Sequence, residues 1–439
     1  MRIGIDLQVL GQGRRTGVGN YAFNLARALL DLNTKHEWVL FVPEEVSLRG
    51  PEGRSNPNGI AALASLARND NVNIIKLPAK RIPFWSSHVA YANIMKRARL
   101  DVLHGVANVL PWFYSPLPSP PHQGEGSNPG YSSPHSGGGK VGGRSVITLH
   151  DLAIYKHPEW FPGGQWFSTK MLVPRSIKKS DAIIVPSGAT KADLIELFGV
   201  AEEKIHVIAE GVEERFFGKN TPPREEGQGE VIENTETMTP SFSPPHEGEK
   251  DSSHHSHRYI LFVGTLEPRK NVARLIEAYQ ALPQDIRAEY ELVIAGGGEP
   301  PLHLPLSARG GQGEKERGGP IRFLGYVPDD QLPALYQGAA LFVYPSLYEG
   351  FGLPVLEAMA AGVPVVASRQ TAGNFQFLIS NFQLASFDPY SVQQIRDAIA
   401  RLIRDDAYSS EISKAGIEAA RQYSWKRAAE ETVKIYEGV

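Results

Sequence analysis

The chain of 439 residues carries 45 Lys and Arg against 48 Asp and Glu, a net charge of −3, and it contains no cysteine. Near-balanced charge gives no global attraction to nucleic acid or to a strongly anionic membrane, and the missing thiols exclude disulfides, thiolate zinc sites and cysteine nucleophiles. The length exceeds one ordinary domain, and a hydrophobic fraction of 41% is enough for substantial cores.

The opening MRIGIDLQVLG reads as a buried strand, Arg2–Leu7, without the basic-then-apolar layout of a signal peptide. No run of roughly 18 apolar residues occurs anywhere, so a soluble, cytoplasmic protein is expected. Gly17-Val-Gly19-Asn20 separates that strand from a helix predicted over Tyr21–Leu32. Short apolar runs bounded by turn residues predict parallel strands at Trp38–Val42, Val72–Lys76, Val102–His104, Ser145–Thr148, Ala182–Val185 and Ile205–Ile208, with a helix over Ala189–Leu197. The basic-aromatic stretch Lys80–Arg99, with Phe84, Trp85 and Tyr91, reads as an amphipathic helix on its own domain, with peripheral membrane contact as the other reading. The pattern then restarts. Strands are predicted at Tyr259–Val263, Glu291–Ala295, Ile321–Phe323, Leu341–Tyr344 and Val363–Ala367, and helices at Val272–Leu282, Gln331–Gln337 and Pro354–Ala361.

Two runs of βα units predict an α/β protein of two doubly wound domains, with a ligand in the cleft facing the C-terminal ends of the strands. The domains are read as 1–220 and 258–423, with 424–439 as a closing helix. Residues 115–144, 221–257 and 299–319 are rich in Pro, Gly, Ser and His and poor in apolar residues, so they are expected to be disordered inserts. The first two share a string, SPPHQGE at 119–125 and SPPHEGE at 243–249. The tract His254, His255, His257 falls inside the second and reads as solvated. A different repeat, NFQFLIS (374–380) followed at once by NFQLASF (381–387), has no turn chemistry.

The chemistry concentrates in PSLYEGFGLPVLEAMAAG (345–362). A strand ends, Gly350, Phe351 and Gly352 form a turn, and Pro354 stands where a first helical residue is favoured. Such a turn lets backbone approach a ligand, and a helix start offers unpaired N–H groups, which suits a diphosphate. Glu349 and Glu357 flank it; carboxylates there can accept hydrogen bonds from sugar or ribose hydroxyls, or merely complement the helix start. A second turn, VGTLEPRKN (263–271), carries Arg269 and Lys270, which can neutralise a diphosphate leaving group, and Asn271, expected to cap the next helix. No Asp-x-Asp triplet occurs. In the first half, Gly17-x-Gly19 is a weak dinucleotide-like signal, and His150-Asp151 directly follows a strand.

Together these segments resemble the retaining GT-B glycosyltransferases of family 4, the group 1 glycosyltransferases that include mannosyltransferase-like enzymes, over nearly the whole chain outside the inserts. EGFGLPVLEAMAAG is the most specific match, joined by GTLEPRKN, TGVGNYAFNLARAL, VITLHDLAIYKHPEWFP and FLGYVPDDQLPALYQGA. The resemblance implies two Rossmann-like domains facing a cleft, with Glu349 holding donor-sugar hydroxyls and the amides of Phe351, Gly352 and Leu353 meeting the diphosphate. It implies that Glu357 grips the ribose and that Arg269 and Lys270 stabilise the departing phosphate, beside Gly264 and Thr265 of the same donor-binding turn. The backbone at Val327 would read the base. In the other domain His150 would contact the sugar, Asp151 would line the acceptor side, and Gly17 and Gly19 would approach the diphosphate. The closing SWKRAAEETVKIYEGV resembles a helix that crosses back to the N-terminal domain.

The implied reaction moves a hexose, mannose or glucose, from GDP-mannose or UDP-glucose to a saccharide or lipid-linked acceptor, with no metal, no cofactor and no nucleic-acid partner. Retention without a carboxylate nucleophile resembles front-face attack, in which the leaving phosphate takes the acceptor's proton. One stretch departs from the family. After Val365–Ser368 relatives usually carry a short loop with an acidic residue, often Pro-Glu, whereas here the NFQ echo stands and no Asp or Glu occurs between Ser368 and Asp388. Its four phenylalanines, Phe375, Phe377, Phe382 and Phe387, are expected to pair as an extra strand or to leave apolar surface exposed. Two other readings stay open: a nucleotide-sugar-binding protein with catalysis impaired by that loop, and a GT-B relative of another class, such as an epimerase or phosphorylase.

Overall fold

The computed structural model describes residues 1–11, 17–32, 34–44, 71–78, 84–110, 143–161, 163–218, 258–298, 321–376 and 385–439. The stretches read as inserts lie outside these residues, apart from 143–144 at the end of the first, as do the His254–His257 tract, Phe377 and Phe382. The chain forms two compact units: Met1–Gly211 together with Trp425–Val439, and Val212–Ser424.

In the first unit seven parallel strands run β1 (Arg2–Asp6), β2 (Glu37–Pro43), β3 (Val72–Leu77), β4 (Val102–Gly105), β5 (Arg144–Thr148), β6 (Ala182–Val185) and β7 (Ile205–Val207), in the order 3-2-1-4-5-6-7. The most buried of them are apolar at successive positions, as in Trp38-Val39-Leu40-Phe41-Val42, all buried, because helices cover both faces. On one face Val39, Phe41, Leu103, Ile147 and Ile183 form a core with Met95 of α2 (Phe84–Arg97), Val173 of α4 (Gly163–Lys179) and Leu194 of α5 (Gly188–Phe198). Each such side chain contributes about 1.5–3 kcal/mol by leaving water. The short α3 (Ala153–Lys156) follows β5. Helix α5 has matched ends: Ser187 Oγ accepts from Thr190 N–H at 3.2 Å, and Gly199 closes it at φ 60°.

In the second unit six parallel strands, β8 (Arg258–Val263), β9 (Tyr290–Ala295), β10 (Ile321–Gly325), β11 (Leu341–Tyr344), β12 (Val365–Ser368) and β13 (Ala385–Phe387), lie in the order 10-9-8-11-12-13. The helices between and after them are α6 (Val272–Gln280), α7 (Gln284–Glu289), α8 (Leu332–Gln337), α9 (Leu353–Ala360), α10 (Arg369–Gln376), α11 (Val392–Arg404) and α12 (Asp406–Ala420). Helix α13 (Trp425–Gly438) returns to the first unit and packs on α1 (Gly17–Asp31), with the Trp425 and Tyr21 rings 5.7 Å apart. In each sheet the strand order reverses beside the first strand, between β1 and β4 and between β8 and β11. Ligands bind at the carboxyl ends of strands at such switch points. Among the described residues no helix is long and apolar enough to cross a membrane.

The structure corrects four details. Residues 212–217 belong with the second unit, not the first, because Phe216 packs against Tyr336 and the Arg215 guanidinium donates to the Asp329 carbonyl at 2.6 Å. Gly17 and Gly19 lie inside the first turn of α1 rather than ahead of it. Glu357 stands in the second turn of α9, so complementing the helix start is not its role. Where an extra strand was one expectation, residues 369–376 are helical instead, while Ala385–Phe387 do form a strand, β13, paired with β12 through Ser368 and Phe387. Phe375 and Phe387 are buried, so neither adds exposed apolar surface.

Candidate active site

In the second unit, the turns after β8 and β11 meet at the switch point. After β8, Pro268–Lys270 form one 3₁₀ turn and Asn271 takes a left-handed conformation at φ 58°. Asn271 occupies the start of α6 but does not cap it. Its amide instead donates to the carbonyls of Pro345 (3.1 Å), after β11, and Pro389 (2.7 Å), after β13, tying this turn to both. The Arg269 carbonyl accepts from Leu347 N–H at 2.7 Å, a second tie.

Between these turns the side chains of Glu349, Lys270 and Arg269 interlock. Lys270 Nζ donates to Glu349 Oε1 at 2.6 Å and to Tyr344 Oη at 2.6 Å, and Arg269 Nη1 donates to Glu349 Oε2 at 3.1 Å. Arg269 Nε also donates to Glu267 Oε2 at 2.7 Å, and Thr265 Oγ1 to Glu267 Oε1 at 3.0 Å. The Glu349 side chain is only 8% exposed, and burial alone would raise its pKa; Lys270 and Arg269 outweigh burial and hold it at about 2. Burial pulls the Lys270 pKa down, and Glu349 opposes that pull. The result is an ionised carboxylate fixed between two cations.

On the far side of the turn Gly352 adopts φ 112° and begins α9, with Pro354 in its first turn. A Cβ on Gly352 would stand 3.0 Å from Thr371 Cγ2. Val355 and Leu356 N–H pair with the Gly352 carbonyl, and the helix itself supplies no partner for the amides ahead of them. Phe351 is buried against Phe375 and Tyr423, which anchors this corner. Leu353 stays partly exposed.

Glu357 faces α8: Tyr336 Oη donates to its Oε2 at 2.8 Å. Burial raises its pKa to about 8, against the pull of the Tyr336 bond and Arg215, so Glu357 is mostly protonated at neutral pH. Val327 lies in the turn after β10, whose Asp329 is held by Arg215.

Sequence reading passed over Gly296-Gly297-Gly298, although three glycines closing a strand were the available signal. A Cβ on Gly296 would fall 1.8 Å from the Gly264 carbonyl oxygen, and one on Gly298 2.9 Å from Leu266 Cβ. Gly264–Leu266 and this run are therefore packed backbone to backbone, with Leu266 N–H donating to Gly297 O at 2.9 Å. Tyr336 and Tyr344 were also unforeseen; as buried aromatics within elements they carried no sequence signal beyond the core pattern.

In the first unit His150 follows β5 and is buried. Its Nε2 donates to the Val106 carbonyl at 2.8 Å, its Nδ1 lies 3.4 Å from Glu210 Oε1, and its own N–H donates to Asn108 Oδ1 at 2.8 Å. Tyr21 packs edge-on against the ring at 4.5 Å. Asp151 Oδ1 accepts from Ala153 N–H at 3.1 Å, turning the chain into α3. Beneath this lies a chain that sequence reading missed, in which Tyr436 Oη, His104 and Thr148 Oγ1 are linked at 2.6 and 2.8 Å, with Tyr21 Oη 3.1 Å from Thr148. Burial, with a smaller push from His150, lowers the His104 pKa to about 3, so the ring is neutral and uses one nitrogen as donor and one as acceptor. Gly17 is exposed with open space at its Cβ position, and Gly19, two residues further along α1, is buried. Among the described residues no three His, Asp or Glu side chains stand together as a metal site.

Two units with this strand order, one holding a carboxylate clamped by cations beside a glycine turn and a helix start, form a two-domain α/β protein whose switch point suits a phosphate-bearing ligand. The family described as Glycosyl transferases group 1 matches residues 247–422, and Glycosyltransferase Family 4 matches residues 129–216. The O-antigen chain mannosyltransferase B of Escherichia coli is 32% identical across 67% of this chain and 70% of its own length. The serotype-specific mannosyltransferase WbdA of the same organism is 28% identical across 65% of this chain, which spans only 32% of WbdA. Among solved structures, WaaG, a glycosyltransferase involved in lipopolysaccharide biosynthesis, matches with a TM-score of 0.62 at 15% identity over 100% of both chains. Anabaena HepE in complex with UDP and glucose matches at 0.61 and 15%, again over 100% of both. These likenesses establish the GT-B fold, and the chain belongs to the group 1 glycosyltransferases.

Proposed function

We propose that this glycosyltransferase transfers a hexose, mannose before glucose, from a nucleoside-diphosphate sugar to a saccharide or lipid-linked acceptor, with retention and without a metal. The observation that carries this reading is the clamp of Glu349 between Lys270 and Arg269 at the switch point, one turn away from the start of α9. The 32% identical mannosyltransferase favours mannose, with GDP-mannose as the first donor to try and UDP-glucose as the second. In the proposed reaction Glu349 accepts hydrogen bonds from donor-sugar hydroxyls, and Lys270 and Arg269 stabilise the charge that grows on the departing diphosphate. The acceptor oxygen attacks from the same face, and the leaving phosphate takes its proton. Catalysis is then positioning and charge stabilisation. The ends of α2 and α4 bring Lys96 and Arg175 close enough to Lys179 to lower its pKa after burial has done so. Such a basic surface suits a lipid-linked acceptor at an anionic membrane.

The test is transfer from a panel of GDP- and UDP-sugars, with the anomeric configuration of the product read by NMR and each reaction repeated in EDTA. Mannose transfer with retention, unchanged by chelation, is expected. An inverted product, or activity that disappears with EDTA and returns with magnesium or manganese, overturns the corresponding part of the reading. Binding to anionic vesicles that is no stronger than to neutral ones removes the membrane element.

A further inference from the structure

Helix α10 occupies the stretch where this sequence departs from its family, and one of its side chains reaches the Glu349 turn. Asn374 is only 5% exposed, and its Nδ2 lies 3.0 Å from the Glu349 carbonyl and 3.0 Å from the Phe351 carbonyl. Two carbonyl oxygens can be satisfied only by a donor, so the amide nitrogen, not its oxygen, must face them. One side chain thus closes both ends of the three-residue segment Glu349–Phe351. The neighbouring residues add packing: the Phe375 and Phe351 rings are 5.1 Å apart, and Thr371 limits Gly352 to a bare backbone. Asn374 Oδ1 is buried and has no hydrogen-bond partner among the described residues. A residue serving stability alone gains little from burying an amide with one end unsatisfied, which points to the two carbonyl bonds as the reason for its presence.

We propose that Asn374 is a positioning residue for sugar transfer, holding the Glu349–Phe351 turn so that Glu349 stays seated on Lys270 and Arg269 and the amides before α9 stay aimed at one point. It touches no reacting atom and acts through Glu349. The inference rests on the transferase reading above for its kinetic consequence, but the tether itself does not. Ribose-side contacts at Glu357 lie beyond the tethered segment, so the two halves of donor recognition respond differently when the tether is cut.

The experiment compares the 439-residue chain with its Asn374→Ala variant and with Asn374→Asp, which keeps the shape and removes both N–H donors. Each variant is expected to lower kcat by about ten- to a hundredfold, the scale of a small misplacement near the chemistry. The Kd for the free nucleoside diphosphate should stay within about threefold, so that the loss falls on turnover. Backbone deuterium exchange over 346–353 should quicken in both variants. Unchanged kcat with unchanged exchange overturns the proposal, as does a loss of activity fully accounted for by a smaller folded fraction. If the wild-type protein transfers no hexose, the transferase reading fails on its own, and exchange over 346–353 alone decides the tether: faster exchange upholds it and equal exchange removes it.

Discussion

At the scale of single residues the site divides its work between charge and hydroxyl recognition. Lys270→Ala removes a buried cation that contacts Glu349 and Tyr344. It should lower kcat by about two or more orders of magnitude, measured with saturating donor; an effect confined to the acceptor KM would count against a role at the leaving group. Glu349→Gln keeps size and loses charge beside the sugar, so kcat should fall most, whereas Glu357→Gln should weaken donor and free nucleotide alike. Isothermal titration with nucleoside diphosphate separates them, and equal effects refute the split. The two glutamates also have opposite pH behaviour. The folded pKa of Glu349 is depressed to about 2, so its stabilising contribution is present above the ordinary 4.5 and is lost as pH falls toward 2. The folded pKa of Glu357 is raised to about 8, so its contribution is full below 4.5 and is lost as pH rises through 8. If ribose hydroxyls are held by the carboxylate form, nucleotide affinity should climb between pH 6.5 and about 8.5 in the wild type and stay flat in Glu357→Gln. A flat wild-type profile would place the ribose elsewhere.

At the scale of elements, the loops after β8 and β9 show how closely backbone can stack when two glycine segments face each other. Gly296→Ala puts a methyl group 1.8 Å from the Gly264 carbonyl at φ 145°, a conformation that disfavours any side chain. A loss of about 2–4 kcal/mol is expected, read as the shift in urea midpoint, with donor affinity falling too; a near-neutral variant would mean that this stack yields easily. The parallel strands were legible from sequence because burial on both faces writes an unbroken apolar run, as in β2 and β11, and the glycine–proline punctuation marked the turn into α9. The same logic failed at 369–376. Helix α10 carries Gly373 and Asn374 with alternating Phe and Gln around them, a pattern that reads as strand, and packing of Ala372 and Phe375 against the unit goes with its helical form. Asn271 was misread for a related reason. A good capping side chain was present, but two carbonyls across the switch point offered it better partners. The position of Glu349 was legible, whereas its clamp was not, since residues about 80 apart in sequence meet only when β8 and β11 are neighbours.

At the scale of the whole molecule, chain order and spatial order part company. Residues Val212–Ser424 form the second unit between two pieces of the first, and α13 completes the first only after the second has been made. Residues 221–257 therefore do not link one unit to the other: the chain on each side of them, Glu214–Phe216 and β8, belongs to the second unit. They lie outside the described residues, and their composition offers little apolar surface to bury. Replacing them with about nine Gly and Ser residues shortens the loop roughly fourfold, which lowers closure entropy by only about 1.2 kcal/mol. Phe216, packed on Tyr336, and Arg215, bonded to the Asp329 carbonyl, keep their partners in such a variant. Its melting temperature should remain within a few degrees of the wild type, and its affinity for nucleoside diphosphate should be preserved, because no site residue is removed. Calorimetry and titration on the same preparation check both. A collapse of expression, or normal folding with donor binding lost, would show that the segment packs on the second unit or contributes directly to the site, and its reading as a dispensable insertion would have to be given up.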